Sequence, residues 1–445
     1  LARGAQQRAG RATHTTGVSA TGRLRIVAGP DLPPHPLLRP GAQYAVALRH
    51  ASFKGFADDA VRDGRSASLR ILADDTRGAD GQLPLEDGAL DLILSTGDTF
   101  VLRDAHIFHR WFFADLEQRA EILTWYDAFL PSFAGFVRSP GSFTDLDYYS
   151  QITYHFDAAD GRRWLARWRL TVPEDRPDGG QVDPSELRLP LDYVPRKDGD
   201  TRGTTYLRDE FRRRVRAGGV DYRLQIQLRP LPDEPAARRA AADTTAAWPE
   251  DQFPHHDVAL LHLDELLPED TAARLALNVG RMPRGLELLR ADDAADPAAI
   301  GHLRVIAYQA SAAVRQGRPL PPRLAALLAA HGGPLVLPAA ADPRVLRPDA
   351  VYRGLDPEFR RELGRFAREL YRRTAALGRP PARSPGILLR GELTLDPADG
   401  VPAHPLLAAG RRHAALLRHV GELAFDDEAI ADCRCAHLRV LDDPE

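Results

Sequence analysis

Arg304, Tyr308, Ser311 and Arg315 lie in the run HLRVIAYQASAAVRQG, at successive spacings of four, three and four. On a helix that spacing places all four on one face. A guanidinium one turn from a phenol favours the phenolate, because the cation stabilises the anion. A phenolate is a hard anionic oxygen that ligates ferric iron well, and tyrosinate is one of the few axial ligands proteins offer to haem.

The elements that must position this face read as mixed α and β. Segments 44–49, 67–72, 151–156, 164–172, 222–229 and 258–263 alternate apolar and polar residues as strands do. The clearest has Tyr222, Leu224, Ile226 and Leu228 alternating with Arg223, Gln225, Gln227 and Arg229. Helical patterns occupy 115–128 and 207–217. An antiparallel β-barrel carrying helical insertions, an α+β fold, is the expected architecture. Pro- and Gly-rich breaks near 176–186, 195–203 and 231–242 separate its parts. Gly317, Pro319, Pro321 and Pro322 stop the helix that carries Tyr308.

Residues 1–320 are expected to form the core, and 321–445 a mostly helical extension. In that extension 356–377 is a strong amphipathic helix. Asp356 caps it, Pro357 starts it and Gly378 ends it. A second helix is expected over 405–425. The first of these is the place for an added interface, such as that of a homodimer.

The 445 residues carry a net charge of −3, which offers no attraction for nucleic acid. No apolar run reaches membrane-spanning length. The arginine-bearing start has no apolar segment of a secretory signal. Cys433 and Cys435 are the only cysteines, too few for a four-thiolate site. Free thiols in a reducing cytoplasm are the expectation.

Five stretches in order resemble the catalase superfamily. Arg11-Ala12-Thr13-His14 is similar to the segment bearing the family's distal histidine. Val61-Arg62-Asp63-Gly64-Arg65 resembles V-R-D-P-R, with Arg49 upstream of it. Phe100-Val101-Leu102-Arg103-Asp104, followed by Phe108, resembles F-F-I-R-D. Asp243-x-Thr245-x-x-Trp248-Pro249 matches D-x-T-x-x-W-P, and Met282-Pro283-x-Gly285 matches M-P-P-G. The Tyr308 run resembles the proximal helix, R-x-x-x-Y followed by a second arginine.

The resemblance implies haem b, with Tyr308 as axial ligand and Arg304 keeping it ionised. It implies that Arg11, Arg49 and Arg315 offer forked donors to the haem propionates, with Ser311 on the same helix face. Phe108 would lie flat against the macrocycle. His14 would take a proton from a bound hydroperoxide and return it to the departing oxygen, as general acid–base chemistry requires.

Three departures point away from hydrogen peroxide as substrate. Ser95, beside Thr96, stands where catalases have an asparagine, and a hydroxyl lacks the amide's reach and paired donors. Thr13 precedes His14, a feature of the allene oxide synthase branch, which acts on fatty-acid hydroperoxides. Ala312 replaces a histidine after the proximal tyrosine. The distal serine of catalases has Ala51 or Ser52 as its nearest counterpart.

The resulting expectation is a haem-dependent oxidoreductase for organic, fatty-acid hydroperoxides, acting by peroxidation or by rearrangement to an epoxide or allene oxide. Ser95 or Thr96 would orient the oxygen. A hydrogen peroxide catalase and a non-catalytic haem sensor or carrier are the alternatives. Peripheral lipid contact is compatible with such a substrate.

Overall fold

The computed structural model describes Arg11 and residues 13–54, 57–72, 83–114, 116–187 and 194–319. The expected helices over 356–377 and 405–425, and both cysteines, lie outside the described residues.

Four long strands come first: β1 (Gly17–Ile26), β2 (Gln43–Ser52), β3 (Asp63–Leu72) and β4 (Gly88–Ser95). The short β5 (Val137–Arg138), β6 (Tyr148–Tyr149) and β7 (Tyr154–Asp157) follow. Then come β8 (Arg163–Thr171), β9 (Val220–Pro230), β10 (His255–Leu266) and β11 (Leu286–Leu288). Eight of them close a ring in the order β1-β2-β3-β4-β6-β8-β9-β10, with β10 returning to β1. Every pairing is antiparallel. Closure satisfies the strand edges that an open sheet would leave bare. Strands β7 and β11 extend the sheet beyond β8, and β5 pairs with β3.

Alternation along each strand sends one residue in two to the barrel interior. Leu24, Leu48, Leu69, Leu92, Tyr148, Leu170, Leu224 and Leu261, one from each ring strand, are at most 1% exposed. The strand register puts Arg49, Ser66, Ser95 and Tyr149 on the opposite, outer face.

The insertion after β4 folds as α1 (Ala105–Phe113), α2 (Leu116–Leu123) and α3 (Phe129–Phe136). Asp104 starts α1 by accepting the Ile107 N–H at 2.8 Å. The single helix expected over 115–128 is therefore broken. At the break the Thr124 hydroxyl donates to the Glu121 carbonyl at 2.7 Å, a local bond that competes with helix continuation. The three helices share a core of Ile107, Trp111, Ile122, Phe129, Phe133 and Phe136. Further on are α4 (Tyr206–Ala217), α5 (Pro235–Ala242), α6 (Glu269–Arg274) and α7 (Ala299–Arg315).

The strand expected over 151–156 starts only at Tyr154, as β7. Gln151 has φ 55, a left-handed conformation between β6 and β7. Its side-chain amide donates to the carbonyls of Thr96 at 2.8 Å and Gly97 at 3.0 Å.

The chain divides into two compact units. One comprises Thr13–Leu289 with Asp296–Gln309 and holds the barrel. Of the described residues, the other takes Arg11, Arg290–Ala295 and 310–319.

Candidate functional site

The outer face of the β3–β4 hairpin carries two hydroxyls side by side. Ser66 and Ser95 are directly opposed in the register, and Tyr149 flanks Ser95 on its other side. Both serines are buried. His14 joins them. Its Nδ1 lies 3.1 Å from the Ser66 hydroxyl, and its backbone N–H donates to the Phe53 carbonyl at 2.9 Å. The Phe53 ring packs on the imidazole edge-on, with centroids 5.2 Å apart.

His14 adopts φ 54, a conformation sparsely populated by side-chain-bearing residues and found where surrounding contacts over-determine it. The anchoring segment is itself braced. Phe53 donates its N–H to Gly64 O at 2.9 Å, and Lys54 donates its N–H to the Asp63 carboxylate at 2.7 Å. Burial raises the Asp63 pKa to about 6.

The hydrogen-bond chain assigns the histidine tautomer. Ser66 has one hydroxyl proton and a carbonyl only accepts, so its contacts to Ala51 O at 3.3 Å and to His14 Nδ1 are both hydrogen bonds only when that proton goes to the carbonyl. The Ser66 oxygen therefore accepts from His14 Nδ1–H. That leaves Nε2 as the basic nitrogen, the arrangement a proton-accepting histidine needs.

The hydroxyl bonded to His14 Nδ1 is that of Ser66, rather than a group at either position named for the distal serine. Ala51 has no hydroxyl, and Ser52 bonds the buried guanidinium of Arg65 instead. Ser66 is the cross-strand partner of Ala51, so the hydroxyl comes from the neighbouring strand. A linear comparison misses it; pairing 46–52 against 65–71 would have found it.

Thr96 requires a correction. Alternation turns it to the face opposite Ser95. There its hydroxyl donates to Phe136 O at 2.6 Å and accepts the Arg65 N–H at 3.1 Å, and it is fully buried. It is a backbone brace, and Ser95 alone of the two shares the Ser66 face. Thr13 is half-buried immediately before His14.

Arg49 is 6% exposed, with its Nη2 donating to Thr15 O at 3.3 Å. Its guanidinium lies against Gly17, where a Cβ would come within 2.8 Å of Cζ. The tighter constraint on Gly17 is the His50 carbonyl, which a Cβ would approach more closely still.

On α7 the predicted pair meets. The Arg304 guanidinium carbon stands 5.9 Å from the Tyr308 ring centroid. Arg304 Nη2 reaches the Ile93 carbonyl at 3.5 Å, and its buried Nη1 has no hydrogen-bond partner among the described residues. Ile93 precedes Ser95 by two residues, about 7 Å along a strand. The helix is seated by His302, whose Nε2 meets Leu289 O at 2.8 Å, and by Gly301 against Leu288.

Leu288 pairs in turn with Tyr154. That tyrosine was not anticipated. It is 1% exposed and its hydroxyl has no hydrogen-bond partner among the described residues. Burial raises its pKa, Arg304 opposes the shift and Tyr308 adds to it. The hydroxyl therefore lies within electrostatic reach of both.

Phe108 is half-buried, 4.4 Å from the ring of Phe112 and 6.4 Å from that of Phe100. Arg11, Ser311 and Arg315 fall in the second unit. Arg11 is half-buried, Ser311 is buried, and Arg315 ends α7.

Two of the five matching stretches serve to hold each other. Phe100 donates its N–H to Thr244 O at 2.7 Å, Thr244 Oγ1 donates to Arg103 O at 3.1 Å, and Arg103 meets Asp243 at 3.1 Å. Arg167 ties the second stretch down, donating to the carbonyls of Asp243 and Ala246 and lying 4.6 Å over Trp248.

The residues present fit a haem held through a tyrosinate. Among the described residues a buried guanidinium nitrogen without a hydrogen-bond partner stands beside the candidate ligand.

No protein-family model matches the chain. It is 34% identical over 312 residues to a Nostoc sp. protein named linolenate 9R-lipoxygenase, covering 69% of this chain and 39% of that protein. It is 30% identical over 306 residues to the allene oxide synthase-lipoxygenase protein of Plexaura homomalla, covering 67% of this chain and 27% of that protein. The chain thus spans less than half the length of either relative. Over 185 residues it is 32% identical to the uncharacterized protein y4iK of Sinorhizobium fredii, covering 41% of this chain and 80% of that protein. The chain belongs to one family with the Sinorhizobium protein, whose name carries no function.

Proposed function

We propose that this chain is a haem-dependent enzyme of the catalase superfamily that converts fatty-acid hydroperoxides, by rearrangement with loss of water or by peroxidation. The observation that carries the reading is the His14–Ser66 pair facing Ser95 across one hairpin, on the strand whose Ile93 carbonyl meets Arg304. The names of the Nostoc and Plexaura relatives, one a linolenate lipoxygenase and one including allene oxide synthase, support the substrate class.

Haem b, held by the Tyr308 oxygen, would supply the redox centre that cleaves the peroxide O–O bond. Arg304 stands over the Tyr308 ring, and Arg49, Arg11 and Arg315 would meet the propionates. His14 Nε2 takes the hydroperoxide proton and returns it to the departing oxygen, and in the rearrangement to an allene oxide the second hydrogen of the departing water is the proton lost from a substrate carbon. Ser66 holds the imidazole in the required tautomer. Ser95 offers one hydroxyl to the peroxide, against the two donors of an amide. That single donor disfavours hydrogen peroxide and leaves room for a substituted one.

The haem-loaded protein is tested on an eighteen-carbon fatty-acid hydroperoxide and on hydrogen peroxide in parallel. Faster consumption of the lipid hydroperoxide is expected. Rapid oxygen evolution from hydrogen peroxide with the lipid untouched would overturn the reading.

A further inference from the structure

His50 is a fully buried histidine on the inner face of β2, and the site chemistry above does not use it. Phe143 stacks on its ring at 4.5 Å and 7°, while Tyr148, Phe211 and Tyr222 close the cage. Nothing about packing alone calls for an imidazole there. An apolar ring would fill the cage without the cost of burying two polar nitrogens.

Both nitrogens are engaged. Nε2 lies 2.8 Å from the Tyr222 hydroxyl, and Nδ1 lies 3.3 Å from the Ser66 carbonyl. A carbonyl only accepts, so the Nδ1 contact requires a proton on Nδ1. Nε2 then accepts from Tyr222 O–H. Burial drives the His50 pKa down to about 3, with Arg49 adding to the effect, so the ring is neutral and one tautomer satisfies both contacts.

Ser66 is thus gripped from both sides of the sheet. Its hydroxyl accepts from His14 on the outer face, and its carbonyl accepts from His50 on the inner face. We infer that His50, with its tautomer set by Tyr222, is a positioning residue that fixes Ser66 and through it the imidazole of His14. This inference rests on the reading of His14 as the proton-transferring base.

Two amide replacements separate positioning from mere packing. In His50→Asn the side-chain NH2 falls where Nδ1 was and keeps a donor to the Ser66 carbonyl. In His50→Gln it falls where Nε2 was and cannot reach that carbonyl. Both bury one amide in the same cage. With a fatty-acid hydroperoxide, His50→Asn is expected to keep kcat within about twofold of the parent. His50→Gln should lose about tenfold in kcat at unchanged KM, a tenfold loss being about 1.4 kcal/mol. Equal losses in the two variants would overturn the inference.

Side-chain ¹⁵N spectra of the full-length chain, with and without haem, give a readout free of turnover. The His50 signals should report the Nδ1–H tautomer, and Tyr222→Phe should release it. A His50 ring protonated on Nε2 in the parent protein would overturn the inference even if neither amide variant folds. Absence of hydroperoxide turnover together with the Nδ1–H tautomer would instead count against the proposed function, leaving the His50–Ser66 contact standing.

Discussion

The two ends of the β3–β4 hairpin lie on the same outer face and are built in opposite ways. At one end Arg70 and Asp91 form a bidentate pair at 2.6 Å, both fully buried. Arg70 also donates to Leu85 O and Ala276 O, while Asn278 N–H donates to Asp91 at 2.8 Å. Arg281 adds a second cation at 3.5 Å. At the other end, four residues along each strand, stand Ser66 and Ser95, with His14 held by the first. The first end combines full charge with close mutual pairing of Arg70 and Asp91. The second combines neutral hydroxyls with a basic nitrogen. Close pairing of buried charge serves the fold, whereas small donors beside a proton acceptor serve chemistry on something brought from outside.

Acid should break the comparison most strongly. Burial holds His50, behind Ser66, and His255 at pKa values of about 3, far below the ordinary 6.5. The unfolded chain then binds more protons than the folded one between those values. The stability from keeping these rings neutral is full above pH 6.5 and is lost as pH falls towards 3, several kcal/mol in all. Asp63, raised to about 6 by burial, works in the opposite direction: its charge costs stability as pH rises from about 4 to 6. Two histidines outweigh one carboxylate, so denaturant midpoints should fall steadily below pH 6. Midpoints that rise on acidification would mean the histidine end is not the acid-sensitive one.

Asp91→Ala should come next. It leaves Arg70 buried without its partner, at a cost of about 3–5 kcal/mol in urea unfolding. A change under 1 kcal/mol would show that the closed end is not the structural one.

Ser66→Ala is expected to do the reverse, changing stability by less than about 1 kcal/mol. It should lower hydroperoxide kcat about tenfold, because His14 loses the acceptor that fixes its tautomer.

The smallest effect belongs to Tyr154→Phe. Removing a buried hydroxyl without a partner should raise stability by about 1 kcal/mol, measured as a higher denaturant midpoint. A fall would mean that Tyr154 bonds a group near Arg304.

The sequence made the alternating strands legible because their inner residues repeat every second position, as from Tyr222 to Leu228. The pairing of Arg304 with Tyr308 was legible for the same kind of reason: both sit on one helix, one turn apart. Strand β1 was missed, since Gly17, Ser19, Thr21 and Arg23 dilute its apolar set. Ser66 and the inward turn of Thr96 were hidden because both depend on strand register, which is a relation between distant segments. Tyr154 was hidden because β11 and α7 bury it from positions more than a hundred residues away.

The most direct test of the central claim is an absorption spectrum of the full-length protein reconstituted with haem b, beside the same measurement on Tyr308→Phe. The account predicts stoichiometric haem with a high-spin ferric spectrum of tyrosinate type in the parent, lost in the variant and altered by a fatty-acid hydroperoxide in the parent alone. Identical spectra from the two proteins, or no stoichiometric haem in the parent, would contradict it.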